Sequence, residues 1–126
     1  MPKRIVQTDN APRPAGPYSQ GVVAEGKFLF VAGQVGTDPK ANKLPEGIAA
    51  QSKQTLNNIK SIVEAAGASL ENVVRVGVYL RDINDFAEMN KVYGTFFGQN
   101  PPARSTIQAT LTGQFLIEVD CVVLMP

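Results

Sequence analysis

The sequence predicts an α+β fold in which a mixed sheet carries two helices packed on one face. Three observations predict it: short apolar runs around a glycine turn near the start, two stretches of helical periodicity in the middle, and period-two alternation through the last third. With 126 residues, 44% of them apolar, the chain is expected to form one domain over 1–126.

Taken in order, Gly21 to Ala24 and Phe28 to Val35 read as two strands joined by the tight turn Glu25-Gly26-Lys27, an opening hairpin. Asp38 to Lys43 is a polar loop. Pro45 then suits a first helical position, and Ile48, Leu56, Ile59, Ile62, Val63 and Ala66 recur at helical spacing up to a stop at Gly67. Val73 to Arg81 reads as a half-buried strand with Val74, Val76, Val78 and Leu80 on one face. Asn84 is the expected cap of a second helix, whose stripe is Phe86, Met89, Tyr93, Phe96 and Phe97 and whose end is Gly98. Next, Ser105, Ile107, Ala109 and Leu111 share the face expected to meet the helices, with Arg104, Thr106, Gln108 and Thr110 opposite. The final strand divides the same way, with Phe115, Ile117, Val119, Cys121 and Val123 inward and Leu116, Glu118, Asp120, Val122 and Leu124 outward. An outward face mixing leucine and valine with two acids is too apolar for free solvent and is expected to bury itself against copies of the chain.

The charge balance of +1 leaves no basic footprint for nucleic acid, and no apolar run reaches the length of a membrane span. Met1-Pro2-Lys3-Arg4-Ile5 lacks the apolar core of a secretory signal, and the single cysteine has no internal partner, so a cytoplasmic protein is expected. With no histidine and one cysteine, a transition-metal site is not expected, and neither a GxGxxG nor a phosphate-binding loop argues for a nucleotide cofactor. Any chemistry must therefore use carboxylates, arginine, lysine, tyrosine, hydroxyls, backbone amides and water. Within Pro101-Pro102-Ala103-Arg104-Ser105-Thr106 a fixed cation stands at the mouth of a strand. Its planar donor fork suits a small carboxylate, although a lone arginine is more often solvated or at an interface.

Ordered blocks across the chain carry a family resemblance. They are Asn10-Ala11-Pro12 with Gly16-Pro17-Tyr18-Ser19-Gln20-Gly21, Ala32-Gly33-Gln34, Asn57-Asn58-Ile59 with Glu64-Ala65-Ala66-Gly67, Tyr79 to Ala87 with Asn90, Pro102-Ala103-Arg104-Ser105, and Ile117-Glu118-Val119. In these the chain resembles the RidA/YjgF family of reactive-intermediate deaminases. The resemblance implies a chorismate-mutase-like fold, a homotrimer, and cofactor-independent hydrolysis of 2-imino acids, such as 2-iminopropanoate and 2-iminobutanoate, to 2-oxo acids and ammonia. It implies that Arg104 binds the substrate carboxylate, that Glu118 positions the attacking water, and that Tyr18, Gly33, Asn90 and Thr106 line the site. Thr106 stands where some members have cysteine, and the contact expected there is through the backbone. Each has an ordinary alternative: Tyr18 packing at a turn exit, Gly33 relieving crowding between strands, Asn90 solvated on its helix, Glu118 in a structural ion pair.

Pairing of Leu111 with Phe115 across Thr112-Gly113-Gln114 would set Gln108 against Glu118 and Thr106 against Asp120. Arg104 and Glu118 would then share a face about 13 Å apart along the strands, leaving a groove for a ligand and a water, completed by a neighbouring subunit. Relatives often carry a proline-containing turn here, so the loop must keep Glu118 in direction, and Asp120 is the fallback acid. The alternative function is a non-enzymatic small-carboxylate-binding or regulatory protein on the same fold. A ribonuclease or translation inhibitor is disfavoured by the near-neutral charge and the absent histidine.

Overall fold

Ile117 to Leu124 is apolar on one face at Ile117, Val119, Cys121 and Val123, while on the other Glu118 and Asp120 stand with Val122 and Leu124, a content of branched apolar residues suited to the interior of a sheet. The computed structural model, which describes residues 3–126, places it there. The reading of Met1 and Pro2 lies outside the described residues. The elements are β1 (Lys3–Val6), β2 (Gly21–Ala24), β3 (Phe28–Gln34), α1 (Ile48–Ala65), β4 (Val73–Leu80), α2 (Phe86–Phe96), β5 (Ala103–Gln108) and β6 (Ile117–Leu124). The main sheet has the order β3-β6-β4-β5, with β6 antiparallel to both neighbours and β4 parallel to β5. Strands β3, β4 and β5 therefore run in one direction and need crossovers, which α1 and α2 supply. This is the expected α+β arrangement of a mixed sheet and two helices.

The apolar residues of α1 and α2 close the core over one face of the sheet. Leu56, Ile59 and Val63 of α1 and Met89 and Tyr93 of α2 are buried in a single cluster with Val76, Val78, Leu80, Ile117, Val119, Cys121 and Val123. Helix α1 starts at Ile48 after Gly47, three residues later than a first helical position at Pro45 would put it, and Gly67 follows it with φ of 91°, a conformation that favours glycine. Before α2, a 3-10 turn spans Ile83–Asp85. The cap here is Asp82, whose side chain accepts from the Asn84 backbone N–H, so Asn84 lies inside the turn and is not itself the cap.

Three expectations about pairing are corrected. The opening hairpin does not form: β2 pairs with β1, a strand the sequence reading passed over, while β3 pairs with β6. The closing hairpin is also absent, because β4 lies between β5 and β6. Strand β5, with Arg104, Ser105, Thr106 and Gln108, is polar enough for an edge, whereas β6 is not. The third correction follows from the second. In β5 the face toward the helices carries Arg104 and Thr106, level with the buried Val76 and Val78, and Ile107 points to the open side and is exposed. Local alternation fixes which residues share a face, but only the neighbouring strand decides which face turns inward.

The open side is apolar, in part through the expected Val122, which is half-buried opposite Phe30. Leu124 is buried and Leu116 packs against the core, while Phe28, Phe30 and Ile107 are exposed, Phe30 at 75%.

The chain reaches β6 from β5 through residues 109–116, held by side chains from outside it, Gln51 of α1 accepting from the Leu116 N–H through Oε1 at 2.9 Å. Arg81, just past β4, donates from Nε to the Phe115 carbonyl at 2.7 Å and from one terminal nitrogen to the carbonyls of Leu111 at 2.8 Å, Gly113 at 3.0 Å and Thr112 at 3.3 Å. A hydrogen bond from a charged donor contributes about 1.5–3 kcal/mol. Arg81→Ala is expected to lower stability by about that amount, read by urea denaturation, and an unchanged midpoint would show that the loop holds its path without it.

Candidate functional site

Arg104 sits in the second position of β5, beneath α2. Phe86, Asn90 and Tyr93 are four and three residues apart, so they share one face of that helix. The guanidinium carbon lies 4.7 Å from the Tyr93 ring centre, 5.7 Å from Phe86 and 5.0 Å from Tyr18. Tyr18 arrives from the N-terminal segment, which is laid along the outer edge of β5: Ser19 N–H donates to the Pro102 carbonyl at 3.1 Å, and its hydroxyl donates to the Pro101 carbonyl. Tyr18 Oη accepts from the Ala15 N–H at 3.0 Å, which orients the ring. A side chain on Gly16 would put its Cβ 3.0 Å from Asn90 Nδ2 and 3.3 Å from an Arg104 terminal nitrogen, so the bare backbone there gives both groups their room.

These contacts leave polar atoms unsatisfied. Arg104 is 9% exposed, and among the described residues none of its three guanidinium nitrogens has a hydrogen-bond partner. Asn90 Oδ1, Tyr93 Oη and Thr106 Oγ1 are likewise buried and unpaired. Burial pulls the Arg104 pKa down, Tyr93 and Tyr18 acting the other way, and burial pushes the Tyr93 phenol up. Buried polar atoms nearly always find partners, so free guanidinium donors with the Tyr93 and Thr106 hydroxyls beside them mark a place for an anion with several acceptor oxygens.

Glu118 is elsewhere. It pairs with Tyr79 on the face of the sheet away from the helices. Gly33 of β3 adjoins it, and a Cβ there would run into the Glu118 carboxylate, whose Cδ would lie 2.9 Å away. Asp120 is on the same open face, level with Gly77. The expected residues thus form two groups. Tyr18, Asn90, Arg104 and Thr106 come together under α2, Gly33 and Glu118 come together on the open face, and within one protomer the sheet stands between them. The shared face for Arg104 and Glu118 falls with the closing hairpin on which it rested.

Sequence reasoning placed Phe86 and Tyr93 on a core stripe and missed that they enclose Arg104. The signal was present in the spacing of Phe86, Asn90 and Tyr93, which sets a polar side chain between two aromatic ones. Gly16, Gly77 and Tyr79 were also missed as neighbours of these groups. Among the described residues no cluster of three or more histidine, cysteine or acidic side chains could hold a metal ion, and no helix is long and apolar enough to cross a membrane.

Residues 8–125 match the family described as Endoribonuclease L-PSP. The chain belongs to this family, the RidA/YjgF family of the sequence reading. It is 49% identical over 122 residues to a RutC family protein of Pyrococcus horikoshii, covering 95% of this chain and 96% of that one. It is 39% identical over 123 residues to the 2-iminobutanoate/2-iminopropanoate deaminase of Escherichia coli K12, covering 94% and 95%. Among solved structures, that of E. coli TdcF with bound serine superposes with a TM-score of 0.77 at 34% identity, covering 98% of this chain and 99% of that one.

Cys121, the lone thiol, belongs to neither group. It is buried in the core opposite Val76, and burial, aided by Asp120, pushes its pKa up to about 12. It is expected to resist a thiol reagent at pH 8 in the folded protein and to react at once in denaturant. Fast labelling of the native protein would contradict its placement.

Proposed function

We propose that the protein hydrolyses small 2-imino acids to 2-oxo acids and ammonia, in a site that Arg104 of one copy and Glu118 of another complete together. The observation that carries this reading is the buried guanidinium whose nitrogens have no hydrogen-bond partner among the described residues, a fixed cation suited to a carboxylate. The named deaminase among the relatives and the serine held by TdcF support a small carboxylate as its ligand. The division of the two groups across the sheet supports a site shared between copies. The exposed Phe28, Phe30 and Ile107 on the Glu118 face supply an apolar surface for the assembly, which we take to be a homotrimer of this single domain, as the family resemblance implies.

In this reading Arg104 pairs with the substrate carboxylate, while Tyr18, Phe86 and Tyr93 exclude water from that pair and strengthen it. Asn90 and the backbone around Thr106 and Gly33 fix the remaining polar atoms. Glu118 takes a proton as a water oxygen bonds to the iminium carbon and the C=N π pair moves to nitrogen. The same carboxyl then returns a proton to that nitrogen, the C–N bond breaks with its electron pair leaving on ammonia, and the hydroxyl gives up its proton to the freed Glu118 carboxylate as the new C=O forms. Such acid–base assistance is worth about 10² to 10⁴ in rate.

The test is release of 2-oxo acid from 2-iminopropanoate generated in situ. Glu118→Gln is expected to lose about 100-fold or more in turnover while still binding 2-oxobutanoate, and Arg104→Lys to lose binding and turnover together. A folded, assembled wild type that binds 2-oxobutanoate without accelerating imine hydrolysis would favour a carboxylate-binding protein instead. Phe30→Glu is expected to shift the mass read by light scattering toward the monomer and to abolish turnover with it. A monomeric variant with full activity would remove the shared site.

A further inference from the structure

Gly77 lies in the middle of β4, where a glycine adds nothing to packing. Its φ is not positive, so the position needs space and not conformational freedom. Two groups occupy that space. A Cβ on Gly77 would lie 2.6 Å from Asp120 Oδ1 and 2.8 Å from the Tyr79 hydroxyl, and that hydroxyl donates to Asp120 Oδ2 at 2.9 Å. Tyr79 is also the direct cross-strand neighbour of Glu118. The open face therefore carries two carboxylates at alternate positions of β6, each seated over a glycine of a neighbouring strand: Glu118 over Gly33 and Asp120 over Gly77.

The two are held differently. Among the described residues Glu118 has no side-chain hydrogen bond, whereas Asp120 is tied by Oδ2 and keeps Oδ1 free of any protein donor. A carboxylate that must move a proton benefits from a free acceptor oxygen, and one that must hold a cation benefits from a fixed direction. Alternate residues of a strand are about 6.6–7 Å apart, a span that the reacting carbon, its nitrogen and a water can bridge.

Resting on the imine-hydrolysis reading, we propose that Asp120 is a binding residue for the cationic nitrogen on C2 of the substrate, and that Tyr79 is the positioning residue that aims it. Glu118 then moves the protons while Asp120 holds the cationic nitrogen in place, an arrangement that gives the site a preference for 2-iminium and 2-ammonium acids over the 2-oxo acids it releases. Gly77 is the structural condition for the pair.

Calorimetric titration with two probes tests this: L-2-aminobutanoate, which carries a cationic nitrogen on C2, and 2-oxobutanoate, which does not. Asp120→Asn and Tyr79→Phe are each expected to weaken 2-aminobutanoate about tenfold or more while leaving 2-oxobutanoate within about twofold, and the double variant is expected to be no worse than Asp120→Asn. Thermal unfolding and light scattering on the same samples confirm fold and assembly, and Tyr79→Phe, which keeps the ring, serves if Asp120→Asn does not fold. Equal losses for both probes, or undiminished 2-aminobutanoate binding, would overturn the assignment. A wild type that binds 2-oxobutanoate but not the amino acid overturns it and leaves imine hydrolysis standing. Selective loss in variants of a wild type without turnover supports the nitrogen-binding role and removes the hydrolysis.

Discussion

Strand β6 enters the sheet last in sequence and in its interior, between β3 and β4, and the rest of the arrangement depends on that insertion. It gives β3 and β4 an antiparallel neighbour, leaves the more polar β5 at the edge beside β4, and sets the inward faces by pairing Val119 with Val78 and Cys121 with Val76. The same pairing sends Glu118 and Asp120 to the open side. Because β5 then joins β4 in parallel, Arg104 falls opposite Val76 and turns under α2. One topological choice puts the cation and the acids on opposite sides of a sheet.

The cation's environment is unusual in its balance. Three aromatic rings offer the guanidinium the attraction of their electron-rich faces, each worth about 0.5–2 kcal/mol, but none replaces hydrogen bonds to its nitrogens. The fold holds Arg104 in a place that is dry enough to strengthen an ion pair and yet contains no internal acid to form one. Helix packing supplies Phe86 and Tyr93, and the N-terminal segment supplies Tyr18 by bonding along the free edge of β5. The edge position of β5 is thus used twice, once to display the arginine and once to anchor the segment that covers it.

Much of this was legible in the sequence, and the limits have physical causes. The helices α1 and α2 and the strands β3, β4 and β6 announce themselves through 3.6 and 2 periodicity in residues such as Leu56, Ile59, Val76, Val78 and Val119, because burial imposes that pattern locally. Arg104 and Glu118 were picked out through matching blocks of sequence. Their separation was not legible, since strand order depends on contacts between residues 28 and more positions apart, and Leu111-Thr112-Gly113-Gln114-Phe115 looks locally like a hairpin. The inward turn of Arg104 was hidden for a further reason: polarity argues for solvent, and only the aromatic lining of α2 reverses that argument. The role of Gly77 was likewise invisible, because a glycine says that space is needed without saying for what.

The loop between β5 and β6 has a freedom of its own. Arg81 grips it through the carbonyls of Leu111, Thr112, Gly113 and Phe115, groups that every amino acid supplies equally. The path of the chain there is dictated from outside the loop, by Arg81 and by Gln51 of α1, so apart from Gly113, whose φ of 57° favours glycine, the identities of the loop's own side chains are released from the task of shaping it. Such a segment can change its composition, and with it the surface shown at that end of the molecule, while still delivering Ile117 and Glu118 to the sheet in the same register.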